Sequence, residues 1–245
     1  MSELFNSLLS NTSIIDCTHT INENTVIWPG DPTFSRRSFN DQEYSIETYQ
    51  FIGGSATHID APKHFLPNGR TISDLQPNEL ISEGVLIDVA SKCEKNNDYE
   101  LSIEDINLWE SRNGRIPCRS IVCMRTGWGA KFNKPDEYKN HNPEEEHPHY
   151  SGGVMHFPGF SREAAEFLCR ERNINAIGID TLSLDPGKSV DFEVHYTIFR
   201  NNKYQIENMK LENLPDKGFV MIALPYPVEN APEFLARVIA LVKNE

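Results

Sequence analysis

Two imidazoles and a carboxylate fall within a short stretch of this chain, Thr57-His58-Ile59-Asp60-Ala61-Pro62-Lys63-His64-Phe65. Side chains of these types ligate divalent metal ions or carry protons. In an extended chain alternate residues share a face, which puts His58 and Asp60 side by side with Cα atoms roughly 6.6 Å apart. An imidazole and a carboxylate can close that span onto one ion. On a straight strand His64 would lie roughly 20 Å from His58. It rejoins the pair only if the chain bends near Ala61-Pro62, where proline permits departure from a strand ladder. A lone His-x-Asp pair serves equally well as a surface or structural pair. A second set, Asp191, His195 and Glu207, lies in a C-terminal stretch flanked by strand-like sequence, with His195 between apolar neighbours. Spacing alone does not join it to His58.

These residues need elements to position them. Short apolar runs, many of them β-branched, recur at Ile14-Ile15, Val85–Val89, Ser120–Met124, Ala176–Ile179 and Phe219–Leu224. Near-continuous apolar runs of this length predict central strands covered on both faces. Tyr44–Ile52 alternates as a half-exposed strand would. Ser102 followed by acids, and Ser161 ahead of Arg162–Arg172, predict helix N-termini. Strands alternating with helices make an α/β domain. Pro232–Val242 reads as helix by its early proline and as strand by Arg237–Val242. Residues 131–153 are polar and aperiodic and carry His141, His147 and His149. They read as a solvated surface loop or, because long ordered loops tend to be functional, as a lid or subunit contact.

Composition narrows the function classes. The chain has 245 residues, 38% hydrophobic, 10% aromatic and 24% charged, with a formal charge of -13. Nucleic acid is excluded as a partner, since phosphate binding needs concentrated Lys and Arg. No apolar run approaches a membrane span, and the first residues lack a signal peptide's basic and apolar regions. Five scattered cysteines without a Cys-x-x-Cys pair read as reduced thiols, and a cytoplasmic location is expected.

The ordered motifs resemble the cyclase-like metal-dependent hydrolases, a family that includes bacterial-type kynurenine formamidase and isatin hydrolase. The family signature H-x-G-T-H-x-D-x-P-x-H-F is matched in its second half by Thr57–Phe65. Ile15–His19 with Val26–Asp31, Arg125–Trp128, Gly178–Asp185, His195 and Ile206–Asn208 resemble further family segments across nearly the whole chain. The resemblance implies one cyclase-like domain over 1–245, of swivelling β/β/α fold with a mixed sheet flanked by helices, in which Arg237–Val242 is a strand. It also implies divalent metal, zinc or manganese, one or two ions per chain, held by His58, Asp60, His195 and Glu207. His64 would be the catalytic acid/base. Trp28 would contact a small-molecule substrate, and the chain would assemble as a homodimer or homotetramer. The reaction implied is hydrolysis of an amide, an aryl-formamide such as N-formylkynurenine or a cyclic amide, by metal-bound water. One departure stands out, because the signature's leading His falls on Gly54 and its Gly on Ala56. Gln50, His19 or His156 would then substitute, or a single ion would suffice. Otherwise the chain would be a catalytically silent binder or oligomeric partner.

Overall fold

The computed structural model describes residues 10–40 and 43–244. Its centre is an eight-stranded mixed sheet. The strands run in the order Thr12–Asp16, Glu233–Lys243, Phe219–Pro225, Ile81–Asp88, Ile121–Arg125, Ala176–Ile179, Tyr204–Glu207 and His58–Asp60. The four strands from Ile81–Asp88 to Tyr204–Glu207 pair in parallel, and the remaining pairs are antiparallel. The predicted apolar runs fall on these strands, with only Val89 and Ser120 standing one residue outside.

The sheet closes on itself. Glu233–Lys243 is long enough to hold three neighbours: its later residues pair with Thr12–Asp16 and Phe219–Pro225, while Glu233, Phe234 and Leu235 pair with Asp60, Ile59 and His58. A seven-stranded barrel results, with Thr12–Asp16 as an added edge. Strand alternation then sorts the side chains into two cores. Ile59, Leu86, Cys123, Ile206, Met221 and Val238 fill the barrel. Val85, Ile87, Val122, Met124, Ile177 and Ile179 face outward, under Ile106, Trp109, Ala164, Ile198 and Phe199 of the covering helices. Among the described residues no helix is long and apolar enough to cross a membrane.

The helix starts follow from local chemistry. Ser102 caps the Ile103–Asn113 helix in a reciprocal box with Asp105, and Ser161 accepts from the Ala164 N–H. Arg162–Arg172 is α-helical only to Phe167 and finishes as a π turn, ending at Asn173 with φ 49°. The predicted strand within Tyr44–Ile52 forms as Ser45–Gln50, but it pairs only with Ser35–Asn40 and is exposed on both faces. Its alternation reflects a hairpin rather than a half-buried strand. The stretch that holds Asp191, His195 and Glu207 is flanked by strands, as expected, with His195 itself on the Glu193–Arg200 helix and Glu207 at the end of a strand.

His19 packs its ring flat on Phe132 with centroids 3.9 Å apart. Burial, reinforced by Lys210, lowers its pKa from 6.5 to about 4. The unfolded chain therefore takes up a proton that the folded chain refuses, and this contribution to stability is lost as pH falls from 6.5 toward 4. Below that window no further loss comes from this group. A His19→Phe variant is expected to show a shallower fall in melting temperature between pH 6.5 and 4 than the parent; equal slopes would remove His19 from this role.

Candidate metal centre

Register assembles the cluster. Asp60 stands opposite Gln205 on one neighbouring strand and Glu233 on the other, and His58 stands opposite Glu207 and Leu235. Opposed residues of antiparallel strands share a face, as do alternate residues. His58, Asp60, Gln205, Glu207 and Glu233 therefore all project from the outer side of the barrel, while Ile59 and Ile206 turn inward. The approach to this strand is pinned by Thr57, whose hydroxyl accepts the His19 N–H at 2.9 Å and donates to the Asn208 carbonyl at 2.5 Å. Ala56, where the family signature has glycine, adopts a left-handed φ of 49°.

Both buried imidazoles have one nitrogen committed. His58 Nδ1–H donates to the Ala56 carbonyl at 2.8 Å, and His195 Nδ1–H donates to Asp185 Oδ2 at 2.6 Å. Each ring thus presents Nε2 to the cluster. Asp185 also accepts the backbone N–H groups of Val194 and His195, so one carboxylate anchors the helix start and sets the ring that the helix carries.

The two central carboxylates divide their oxygens between the rings. His58 Nε2 lies 3.3 Å from Asp60 Oδ1 and 3.5 Å from Glu207 Oε2. His195 Nε2 lies 3.9 Å from Asp60 Oδ2 and 3.3 Å from Glu207 Oε1. The Gln205 amide donates to the latter two oxygens, Asp60 Oδ2 at 2.9 Å and Glu207 Oε1 at 3.1 Å. Asp60 Oδ1 is buried without a hydrogen-bond partner among the described residues.

This environment favours a cation. Burial alone would drive both rings neutral, yet Asp60 and Glu207 hold His58 well above its ordinary range, and Asp185 and Glu207 push His195 up to about 10. Burial opposes ionisation of Asp60, but His58, His64 and His195 keep it ionised. A divalent ion fits the site: an orphaned carboxylate oxygen, two Nε2 atoms and two carboxylates make a mixed N/O donor set, which suits zinc or manganese. Among the described residues there are two groups of donors, His58–Asp60–Glu207 and Asp60–His64–His195, each with its ligand atoms within 4.8 Å of one another.

His64 returns to the cluster through the Pro62–His64 turn, its ring centroid 6.0 Å from that of His195. It opens onto a cavity of about 260 Å³ lined also by Trp28, Phe65, Leu182 and Phe192. That volume is just below the roughly 300–1,000 Å³ of drug-sized ligand sites, a size for one small ring system. Trp28 meets Tyr150 edge-on at 5.5 Å, and His147 and His149 donate to the Ser189 and Val190 carbonyls. The 131–153 segment is thereby tied to the loop that leads into the His195 helix.

The predicted His58, Asp60, His64, His195 and Glu207 are brought together, with Trp28 on the cavity wall. Asp191 is exposed and apart from them. None of the three substitutes for the missing imidazole lines the cavity. Gln50 is exposed, His19 stacks on Phe132, and His156 pairs with Asp98 and Glu145. Trp128, at the end of the matched Arg125–Trp128 segment, is buried away from the cavity with its indole N–H on the Tyr138 carbonyl. Asp185, named above only as the end of a matched segment, proves to hold His195, and the sequence did not single out Gln205 and Glu233. Strand alternation from Glu207 would have found Gln205, whereas Glu233 meets Asp60 only through barrel closure.

Two measurements check this construction. Asp185→Asn is expected to weaken zinc affinity roughly 10–100-fold, read by competition with a chromophoric chelator; parental affinity would deny Asp185 its orienting role. Ala56→Gly is expected to stabilise the fold by about 1 kcal/mol in urea denaturation by relieving the left-handed φ. A destabilised variant would show that Ala56 carries no strain.

Residues 15–186 match the family described as Putative cyclase. The chain is 28% identical to isatin hydrolase of Roseibium aggregatum, over 99% of this chain and 97% of that protein. It is 26% identical to kynurenine formamidase of Bacillus cereus, over 89% and 91%. The solved structure of isatin hydrolase A from Labrenzia aggregata, bound to benzyl benzoate, superposes with a TM-score of 0.88 at 28% identity, over 99% of this chain and 98% of that one. With its signature residues gathered on one face of a closed mixed sheet, the chain belongs to the Cyclase family.

Proposed function

We propose that the protein is a metal-dependent hydrolase of carbon–nitrogen bonds in small aromatic amides, either an aryl-formamide such as N-formylkynurenine or a cyclic amide such as isatin. The observation that carries this reading is the division of the Asp60 and Glu207 oxygens between the Nε2 atoms of His58 and His195, at the base of an aromatic-walled cavity. The similarity to hydrolases of both substrate types supports it. The silent alternative rested on Gly54, but four donors converge without that position.

His58, Asp60, Glu207 and His195 would hold the ion. When bound, a divalent ion supplies Lewis acidity, polarising the amide carbonyl and making water nucleophilic near neutral pH. The protein's own groups do the rest. Trp28, Phe65 and Phe192 offer ring faces and edges to a planar substrate and exclude water from one side. Gln205 keeps Asp60 and Glu207 from swinging apart. His64, at the cavity wall, is placed to receive a proton from the attacking water and return it to the departing nitrogen.

Metal-stripped protein reconstituted with zinc or manganese and assayed on N-formylkynurenine and isatin tests this reading. Hydrolysis of at least one amide that disappears on chelation is expected. His195→Ala should lose bound metal. His64→Ala should keep it and lose roughly 10²–10⁴-fold in kcat. No metal bound after reconstitution, or no turnover of either amide by the loaded protein, would overturn the assignment.

A further inference from the structure

Gly54 is the position where the family signature has its leading histidine, and the structure shows what stands there instead. The Gly54 N–H donates to Glu233 Oε1 at 2.7 Å. A Cβ added to Gly54 would lie 3.1 Å from that oxygen and 3.2 Å from both Cδ and Oε2 of Glu233. A side chain at position 54 would therefore crowd this carboxyl group and push it aside by a few tenths of an ångström. The Glu233 backbone stays opposite Asp60 on the closing strand, so the carboxyl end is the part that would move.

Glu233 does not simply replace the imidazole as a donor. It belongs to neither group of mutually close donors, His58–Asp60–Glu207 or Asp60–His64–His195. Its second oxygen instead lies 3.2 Å from His64 Nδ1. The His64 ring feels the charge of three carboxylates, those of Asp31, Asp60 and Glu233. Among the described residues, only Glu233 is in ion-pair contact with it.

We propose that Glu233 is the positioning residue of His64. It holds the Nδ1–H and leaves Nε2 to carry the proton, and Gly54 provides the space and the N–H that keep its carboxylate in place. This assignment rests on the hydrolase reading, in which His64 moves the proton between water and the leaving nitrogen. A side chain at position 54 would press on this carboxylate, so glycine there leaves the carboxyl group undisturbed beside the proton carrier.

The test uses zinc-loaded, 15N-histidine-labelled protein, with His64 assigned by comparison with His64→Gln. Long-range 1H–15N spectra of the parent are expected to show His64 protonated at Nδ1. Glu233→Gln keeps the shape and removes the charge. It should change the His64 tautomer pattern and lower kcat roughly 10–100-fold on whichever amide the parent hydrolyses. KM and zinc content should stay near parental values, and Glu233→Asp should restore part of the loss. Zinc loss in Glu233→Gln would make Glu233 a ligand and overturn the proposal, as would parental kcat with an unchanged His64 spectrum. If the parent turns over neither amide, the hydrolase reading fails, and the His64 spectrum alone decides whether Glu233 sets the ring.

Discussion

Closure of the barrel through the three residues His58, Ile59 and Asp60 is the constraint on which the rest depends. A strand this short has few ladder hydrogen bonds of its own, and it is secured by pairing on both edges. That double pairing fixes which neighbours flank each residue. A slip of one position would turn His58 and Asp60 into the apolar barrel and expose Ile59. The inward packing of Ile59 and Ile206 therefore protects the register of the polar cluster on the other side of the same strands. Chemistry and core packing are two faces of one alignment.

The charges assembled there stand against the usual rule for interiors. Burying carboxylates is unfavourable unless they are paired and hydrogen-bonded. Asp60 and Glu207 meet that requirement incompletely, with the Gln205 amide, the Leu184 N–H and two imidazoles around them. In the protein alone the excess negative field appears as raised histidine pKa values. Protons and a metal ion compete for the same lone pairs, so binding of one expels the other. Asp185 lies outside this competition and holds the His195 Nδ1–H.

Much of this was readable from residue types, for reasons that differ along the chain. The central strands declared themselves because strands covered on both faces must be apolar throughout, as Ile121–Met124 and Ala176–Ile179 are. Ser102 and Ser161 marked helix starts because capping is a local interaction. The helix that carries His195 was not legible, because its eight residues, with Val194, Ile198 and Phe199 on the apolar face, are too few to display a helical period. Glu233 was invisible for a deeper reason. Its partners, Gly54, Asp60 and His64, are all more than 160 positions away in the chain, and only the path of the sheet brings them together.

The double use of Asp185 has a dynamic consequence. Its carboxylate caps the amides that open the Glu193–Arg200 helix and grips the ring of His195 at once. Fraying of that helix end therefore releases the imidazole, and loss of the imidazole's attachments loosens the helix end. The two behave as one cooperative unit, whose local opening is recorded by hydrogen exchange at the Val194 and His195 amides. The same helix carries Phe199 into the outer core, so one short element joins the centre to the layer that covers it.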